Sequence, residues 1–116
     1  GMAHAGWRGA VAGVVPATID AMTAAGHPPH TAAIGPGIGA CCFEVGPEVV
    51  AEFPGHESRT GWGTRSVDLP AAVAASLSGL RLVDAGSCTH HDERFHSYRA
   101  TGTDERQFGV AWVAPG

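Results

Sequence analysis

Apolar positions fall in short runs divided by glycine and proline, and the spacing within each run changes along the chain. Residues 1–5 are apolar apart from His4 and lead into Gly6-Trp7-Arg8-Gly9, the pattern of a strand feeding a tight turn and then a helix. Val11, Val14, Val15, Thr18, Ile19 and Met22 then recur at helical spacing as far as Gly26, a helix stop. Pro16 inside that run has no backbone donor and clashes with the preceding turn, so it either kinks the helix or marks a second start. Residues 31–34 predict a buried strand that ends in Gly35-Pro36-Gly37-Ile38-Gly39, and residues 47–53 predict a helix with Pro47 in its first turn and Val49, Val50 and Phe53 on one face. Residues 54–66 are polar and glycine-rich without a period and read as a long loop, a kind that is often functional inside a compact domain. Asp68 caps a predicted helix over 69–77, with Leu69, Val73 and Leu77 at i, i+4 and i+8. Residues 80–84 and 108–113 predict strands, and the stretch 88–103 between them is irregular and rich in His, Arg and Asp. This order predicts a mixed α+β (α/β-type) fold, a layered sheet with helices on its faces in a single domain.

Composition narrows the chemistry more than the fold. The 116 residues are 44% apolar and 16% charged with a mean hydropathy of +0.03, the make-up of one soluble globular domain. A chain this long buries a bit over about 60% of its unfolded surface, so it has a core without a disulfide staple. The net charge of −4 provides no broad basic surface, which argues against nucleic acid as a partner. All seven cations are arginine, and without a lysine amine there is no Schiff base, no pyridoxal attachment and no P-loop lysine. Cys41, Cys42 and Cys88 are an odd set with two neighbours, which favours free thiols in a reducing, cytoplasmic compartment. No C-x-x-C is present, so zinc knuckles and the deaminase signature ending in P-C-x-x-C are absent. The longest apolar stretch, residues 11–25, is broken by Gly13, Pro16 and Asp20 and is too short and interrupted to span a bilayer, so no membrane partner is expected.

Seven histidines in so lightly charged a chain suggest metal or proton chemistry. His4 sits at the end of the first predicted strand, where loops gather, and Arg8 at a predicted helix start suited to holding a phosphate or carboxylate. The glycine run after residue 34 is neither G-x-G-x-x-G nor a P-loop, which removes nucleotide binding through those folds. Cys41 and Cys42 follow it directly. Adjacent residues in extended backbone point to opposite sides, so one thiol at most is expected at a site, and Cys41 is taken as that one. His56 opens the polar loop across a predicted helix from Cys41. Two histidines and a cysteine form the ligand set of catalytic zinc sites with an open fourth position, and His4, Cys41 and His56 supply it. A nucleophilic pair in which His56 activates Cys41, as in a Cys-His hydrolase, is the alternative. His90 and His91 are neighbours in a loop and read as solvated side chains ahead of ligands. Ser97, Tyr98 and Arg99 place a hydroxyl, a phenol and a guanidinium together, either for substrate binding or for packing at a strand edge.

The run His4-Ala5-Gly6-Trp7-Arg8-Gly9, followed by Ile34-Gly35-Pro36-Gly37-Ile38-Gly39-Ala40-Cys41-Cys42-Phe43-Glu44-Val45-Gly46, closely resembles the laccase-domain family, also called multicopper polyphenol oxidase-like or peptidoglycan editing factor. Cys88-Thr89, Arg94-Phe95, Ser97-Tyr98-Arg99 and Gly109-Val110-Ala111-Trp112-Val113 follow in that family's order, so the resemblance runs end to end over residues 1–116. It implies a cytoplasmic α/β protein whose single metal site holds zinc, or copper in some reports, through two histidines and a cysteine: here His4, Cys41 and, by position, His56. It also implies phosphorolysis of purine nucleosides (adenosine, inosine, methylthioadenosine) to free base and ribose 1-phosphate, with adenosine deamination, and Arg8, Ser97, Tyr98 and Arg99 as the groups that meet substrate and phosphate. A homo-oligomer is compatible with it.

The chain departs from the family pattern at Phe95-His96-Ser97-Tyr98-Arg99-Ala100 and at Asp104-Glu105-Arg106, which weakens the expected anion-binding role there. The family also carries a substantial portion, with an Asp-Cys motif, ahead of the His-Ala-Gly-Trp-Arg-Gly motif. The chain is therefore expected to be N-terminally truncated and to represent the C-terminal part of a laccase-like domain. Two other functions stay open at this point: a copper-dependent polyphenol oxidase, disfavoured by having one mononuclear site for four-electron chemistry, and a non-catalytic metal-binding fragment.

Overall fold

In the computed structural model, which describes residues 1–115, the apolar run at the N-terminus forms two helices, α1 (Trp7–Val11) and α2 (Val14–Ala24), parted at Gly13. Gly13 has φ 83°, a left-handed conformation that glycine enters without steric cost. Pro16 consequently falls in the first turn of α2, where a missing N–H costs no helical hydrogen bond, and the second start is the outcome realised. Gly26 ends α2 as predicted: its own N–H donates to Thr23 O at 3.0 Å and the next N–H, from His27, to Met22 O at 2.9 Å, which satisfies the last carbonyls.

The middle of the chain is built from short elements. They are β1 (Thr31–Ile34), α3 (Pro47–Val50), β2 (Glu57–Arg59), β3 (Arg65–Val67), α4 (Leu69–Ala75), β4 (Arg81–Asp84) and α5 (Tyr98–Thr101). Helix α3 is shorter than predicted because its last turn tightens: Glu52 N–H donates to Val49 O and Phe53 N–H to Val50 O, and Pro54 follows. Asp68 caps α4 as expected, its Oδ1 accepting from Ala71 N–H at 3.0 Å.

Strands β1 and β4 pair in parallel, Thr31 with Arg81 through Ile34 with Asp84, so the chain between them is one long crossover. Strands β2 and β3 pair antiparallel, Ser58 opposite Ser66. This hairpin replaces the long loop predicted for residues 54–66; strands of three residues are too short to show alternation, and only the partner reveals them. Two predicted strands do not form. Residues 1–5 pair with no strand among the described residues, and Gly1 instead lies against Met22 and Thr18 of α2. Residues 108–113 are likewise unpaired, with Phe108 89% and Trp112 79% exposed. Both segments have strand composition, but a strand needs a neighbouring edge to take its backbone groups. Among the described residues the result is a compact mixed α+β domain with five helices and two two-stranded sheets, in place of one layered sheet. The radius of gyration is 15.1 Å, above the about 13.4 Å expected of a fully compact chain of this length, as the exposed tail requires.

One apolar cluster, Phe43, Val49, Phe53 and Val67, joins α3 to the hairpin, with Trp7, Ile38, Leu69 and Ala72 packed around it. Among the described residues no helix is long and apolar enough to cross a membrane. Phe53 is 6% exposed whereas Val83 on β4 is 51% exposed. Phe53→Ala is therefore expected to cost about 3–5 kcal/mol and Val83→Ala less than about 1 kcal/mol, read as shifts in the urea midpoint; equal shifts would show that the cluster is not the core.

Candidate metal centre

The loops that leave the C-terminal ends of β1 and β4 lie side by side, because the two strands are parallel neighbours. Pairing resumes beyond the strands as a bridge between Gly37 and Cys88, with Thr89 N–H donating to Gly37 O at 3.0 Å. In open sheets with parallel strands this end is where ligands collect. Here it collects sulfur. Cys41 and Cys42 come from the first loop, Cys88 and His91 from the second, and their donor atoms all lie within 4.8 Å of one another.

The first loop turns tightly. Cys42 and Phe43 N–H both donate to Gly39 O at 3.1 Å, Ser66 Oγ donates to Ala40 O at 2.6 Å, and Gly61 N–H donates to Cys41 O at 2.8 Å. Ser66 is wholly buried, so the β2–β3 hairpin is the clamp that holds this turn. The turn also corrects the expectation that Cys41 and Cys42 face opposite ways: that rule belongs to extended backbone, and here the two sulfurs are 2.9 Å apart. In the second loop, Asp92 N–H donates to Cys88 O and the Asp92 carboxylate takes three hydrogen bonds from Arg94 side-chain and backbone N–H groups within 3.1 Å. Those bonds hold the Asp92 carboxyl down to about 2; what they add to stability is present above the ordinary 3.8 and is lost as pH falls through about 2.

The donors fit a thiophilic ion. Tetrahedral zinc, with bonds of about 2.3 Å to sulfur and about 2.05 Å to nitrogen, needs S–S edges of about 3.8 Å and S–N edges of about 3.6 Å. The distances from Cys41 Sγ to Cys88 Sγ and to His91 Nδ1 are 3.7 and 3.8 Å, and Cys42 Sγ to His91 Nδ1 is 3.5 Å. Of these edges the Cys41–Cys42 one, at 2.9 Å, has to open. A Cβ at Gly39 would sit 3.5 Å from both Cys41 Sγ and Cys88 Sγ, ordinary contact distance, so the backbone of this turn lies directly beside the two sulfurs. Burial, and then the neighbouring Cys41 and Cys88 thiols, push Cys42 up to about 12 from 9.0. Burial acts against ionisation of Cys88 as well, but the Gly39 and His90 N–H groups and the two other thiols outweigh it and hold that thiol below its ordinary value.

Of the ligands expected from sequence, the structure places Cys41 in this cluster and does not bring His4 or His56 to it. His4 is exposed, with its ring beside Gly6. His56 is tied at its backbone between Phe53 and Asp68 and lines a shallow depression with Val11, Phe53 and Ala72. Arg99 lies against the segment that follows Cys42: its Nη1 donates to Glu44 O at 2.7 Å and its guanidinium covers the Phe43 ring at 5.2 Å. Ser97 caps α5 through Ala100 N–H, Tyr98 is 66% exposed, and Arg8 stacks on Trp7 at 4.8 Å. Sequence reasoning passed over Cys42, Cys88 and His91. The signal that finds them is topological: two predicted strands, each followed within seven residues by a cysteine.

The family model described as multi-copper polyphenol oxidoreductase laccase matches residues 1–114. The purine nucleoside phosphorylase ORF3 of Streptomyces griseus is 42% identical over 97% of the chain and 50% of its own length. A purine nucleoside phosphorylase of Streptomyces coelicolor is 39% identical over 96% of the chain, and one of Escherichia coli is 34% identical over 96%. The chain spans about half the length of these curated relatives. No solved structure matches it.

Metal uptake by the cluster must displace the proton that Cys42 keeps up to about 12, so affinity for zinc is expected to rise with pH across neutrality. Cys41→Ser and Cys42→Ser are both expected to weaken binding by at least about tenfold, or about 1.4 kcal/mol. Equilibrium dialysis against zinc at several pH values checks this; a pH-independent affinity, or full binding in either variant, would remove the cluster as the site.

Proposed function

The chain belongs to the multi-copper polyphenol oxidoreductase laccase family, and on that premise we propose that it is the metal-bearing part of a zinc-dependent purine nucleoside phosphorylase. The substrates in this reading are adenosine, inosine or methylthioadenosine together with phosphate, the products are the free base and ribose 1-phosphate, and adenosine deamination is a second activity of the same site. The observation that carries it is the cluster of three thiols and an imidazole at the C-terminal ends of adjacent parallel strands. Support for the substrate class comes from the relatives named purine nucleoside phosphorylase.

Cys41, Cys42, Cys88 and His91 hold the ion in this reading, and zinc suits them because it takes thiolate and imidazole together without redox chemistry of its own. Four protein donors close a tetrahedral shell, so zinc held there would supply Lewis-acid polarisation of an oxygen on phosphate or water only where one of the four gives up its place. Cys41 is the donor shared with the set expected from sequence; His4 and His56 take no part in this cluster. We assign the phosphate to Arg99, whose guanidinium sits over Phe43, next in sequence to Cys42, and keeps N–H groups beyond the one given to Glu44 O. Ser97 and Tyr98, on the same short helix, bring hydroxyl groups to the nucleoside, and Arg8 is a second cation for the anion. The free thiols suit a reducing cytoplasm.

Metal analysis of the purified chain, followed by incubation with adenosine with and without phosphate, tests the proposal. Zinc in the protein and phosphate-dependent release of adenine with ribose 1-phosphate are the expected results, with Arg99→Ala raising the phosphate requirement by about tenfold or more. Copper-dependent oxidation of phenols without nucleoside turnover would overturn it. Bound zinc without either activity would assign the chain a metal-binding role without turnover.

A further inference from the structure

We propose that Cys41 and Cys88 are a peroxide-reactive pair that closes to a disulfide, and that closure withdraws both sulfurs from the metal centre. The covalent part stands apart from the phosphorylase reading; the loss of metal rests on the cluster assigned above. The two sulfurs are 3.7 Å apart and come from residues 47 positions apart in sequence, one on each of the loops that follow β1 and β4. All three cysteines are free, and Cys41 is the exposed one, so oxidant reaches it first. Cys88 is held in place as its partner by Gly39, whose N–H donates to Cys88 Sγ at 3.2 Å. From 3.7 Å, closure to a bond of about 2.05 Å draws the two sulfurs together by only about 1.6 Å.

Cys42 is nearer to Cys41, at 2.9 Å, but it is a poorer partner. A disulfide between sequence neighbours encloses their own peptide bond in a small ring and works against its planarity. Cys42 is also buried beside Phe43, and its removal from that position would disturb the core edge. The chemistry needs only a hydroperoxide. The Cys41 thiolate attacks one peroxide oxygen, an S–O bond forms, the O–O bond breaks and one water leaves. The Cys88 thiolate then attacks Cys41 sulfur, the S–S bond forms, the S–O bond breaks and the departing hydroxide takes a proton to become the second water. Two thiols and one hydrogen peroxide thus become one disulfide and two waters, the sulfurs giving up two electrons. A thiol reductant reverses the modification.

Trypsin cuts the chain only after arginine here, which separates residues 9–59, carrying Cys41 and Cys42, from residues 82–94, carrying Cys88. The chain is reduced, treated with hydrogen peroxide, digested without reductant and weighed. The expected result is a cross-link between these two peptides that is lost in Cys41→Ser, kept in Cys42→Ala and replaced in Cys88→Ser by a sulfenic acid that dimedone traps on residues 9–59. Circular dichroism of each variant confirms that it is folded. A cross-link that survives Cys41→Ser, an internal disulfide within 9–59, or no oxidation at all would overturn the pair. Zinc dialysis of the reduced and oxidised chains reads the second half: uptake lost on oxidation and restored by dithiothreitol is expected. Equal zinc uptake before and after cross-linking overturns the link to the metal, and no uptake by the reduced chain counts against the metal centre while leaving the cross-link as measured.

Discussion

The turn at residues 39–42 is the constraint from which most of this structure follows. One carbonyl, Gly39 O, accepts from both Cys42 and Phe43 N–H, and this reverses the chain so that Phe43 and Cys42 are buried while Cys41 stays exposed, with the two sulfurs together. The buried Ser66 hydroxyl and the Gly61 N–H fix the next two carbonyls. Core and candidate site therefore share one short segment. A change that loosens the hairpin would be felt at the sulfurs, and one that distorts the sulfurs would be felt at Phe43.

The second constraint is the parallel pairing of β1 with β4. It brings loops nearly fifty residues apart into contact at one end and leaves the strands themselves mostly exposed, so the sheet serves less as a core than as a register that aligns two loops. Several apolar residues that the fold leaves open, among them Val83, Phe108 and Trp112, belong to this part of the chain and to the tail.

Where the sequence could be read and where it could not divides along physical lines. Strand β1 and helix α4 were legible because each is delimited by local chemistry: a glycine-proline run ends the one, and an Asp68 side chain bonded to Ala71 N–H starts the other. The Gly26 stop was legible for the same reason. The hairpin was not, since three-residue strands carry no period and Ser58 meets Ser66 only through the fold. Residues 1–5 and 108–113 show the converse, strand composition with no edge alongside. At the site, Cys41 was singled out but its neighbour was set aside by an alternation rule that holds for extended chain and fails in a turn.

Composition by itself determined the kind of chemistry available: no lysine amine, three cysteines, many imidazoles and too few cations for a broad basic surface, properties of an inventory that folding leaves unchanged. The ordered motifs determined the family as well. Which donors meet was decided by tertiary structure alone. His91 lies fifty residues from Cys41 and His56 only fifteen, yet it is His91 that reaches the sulfurs, because parallel strand pairing and one tight turn set distance in space without regard to distance along the chain.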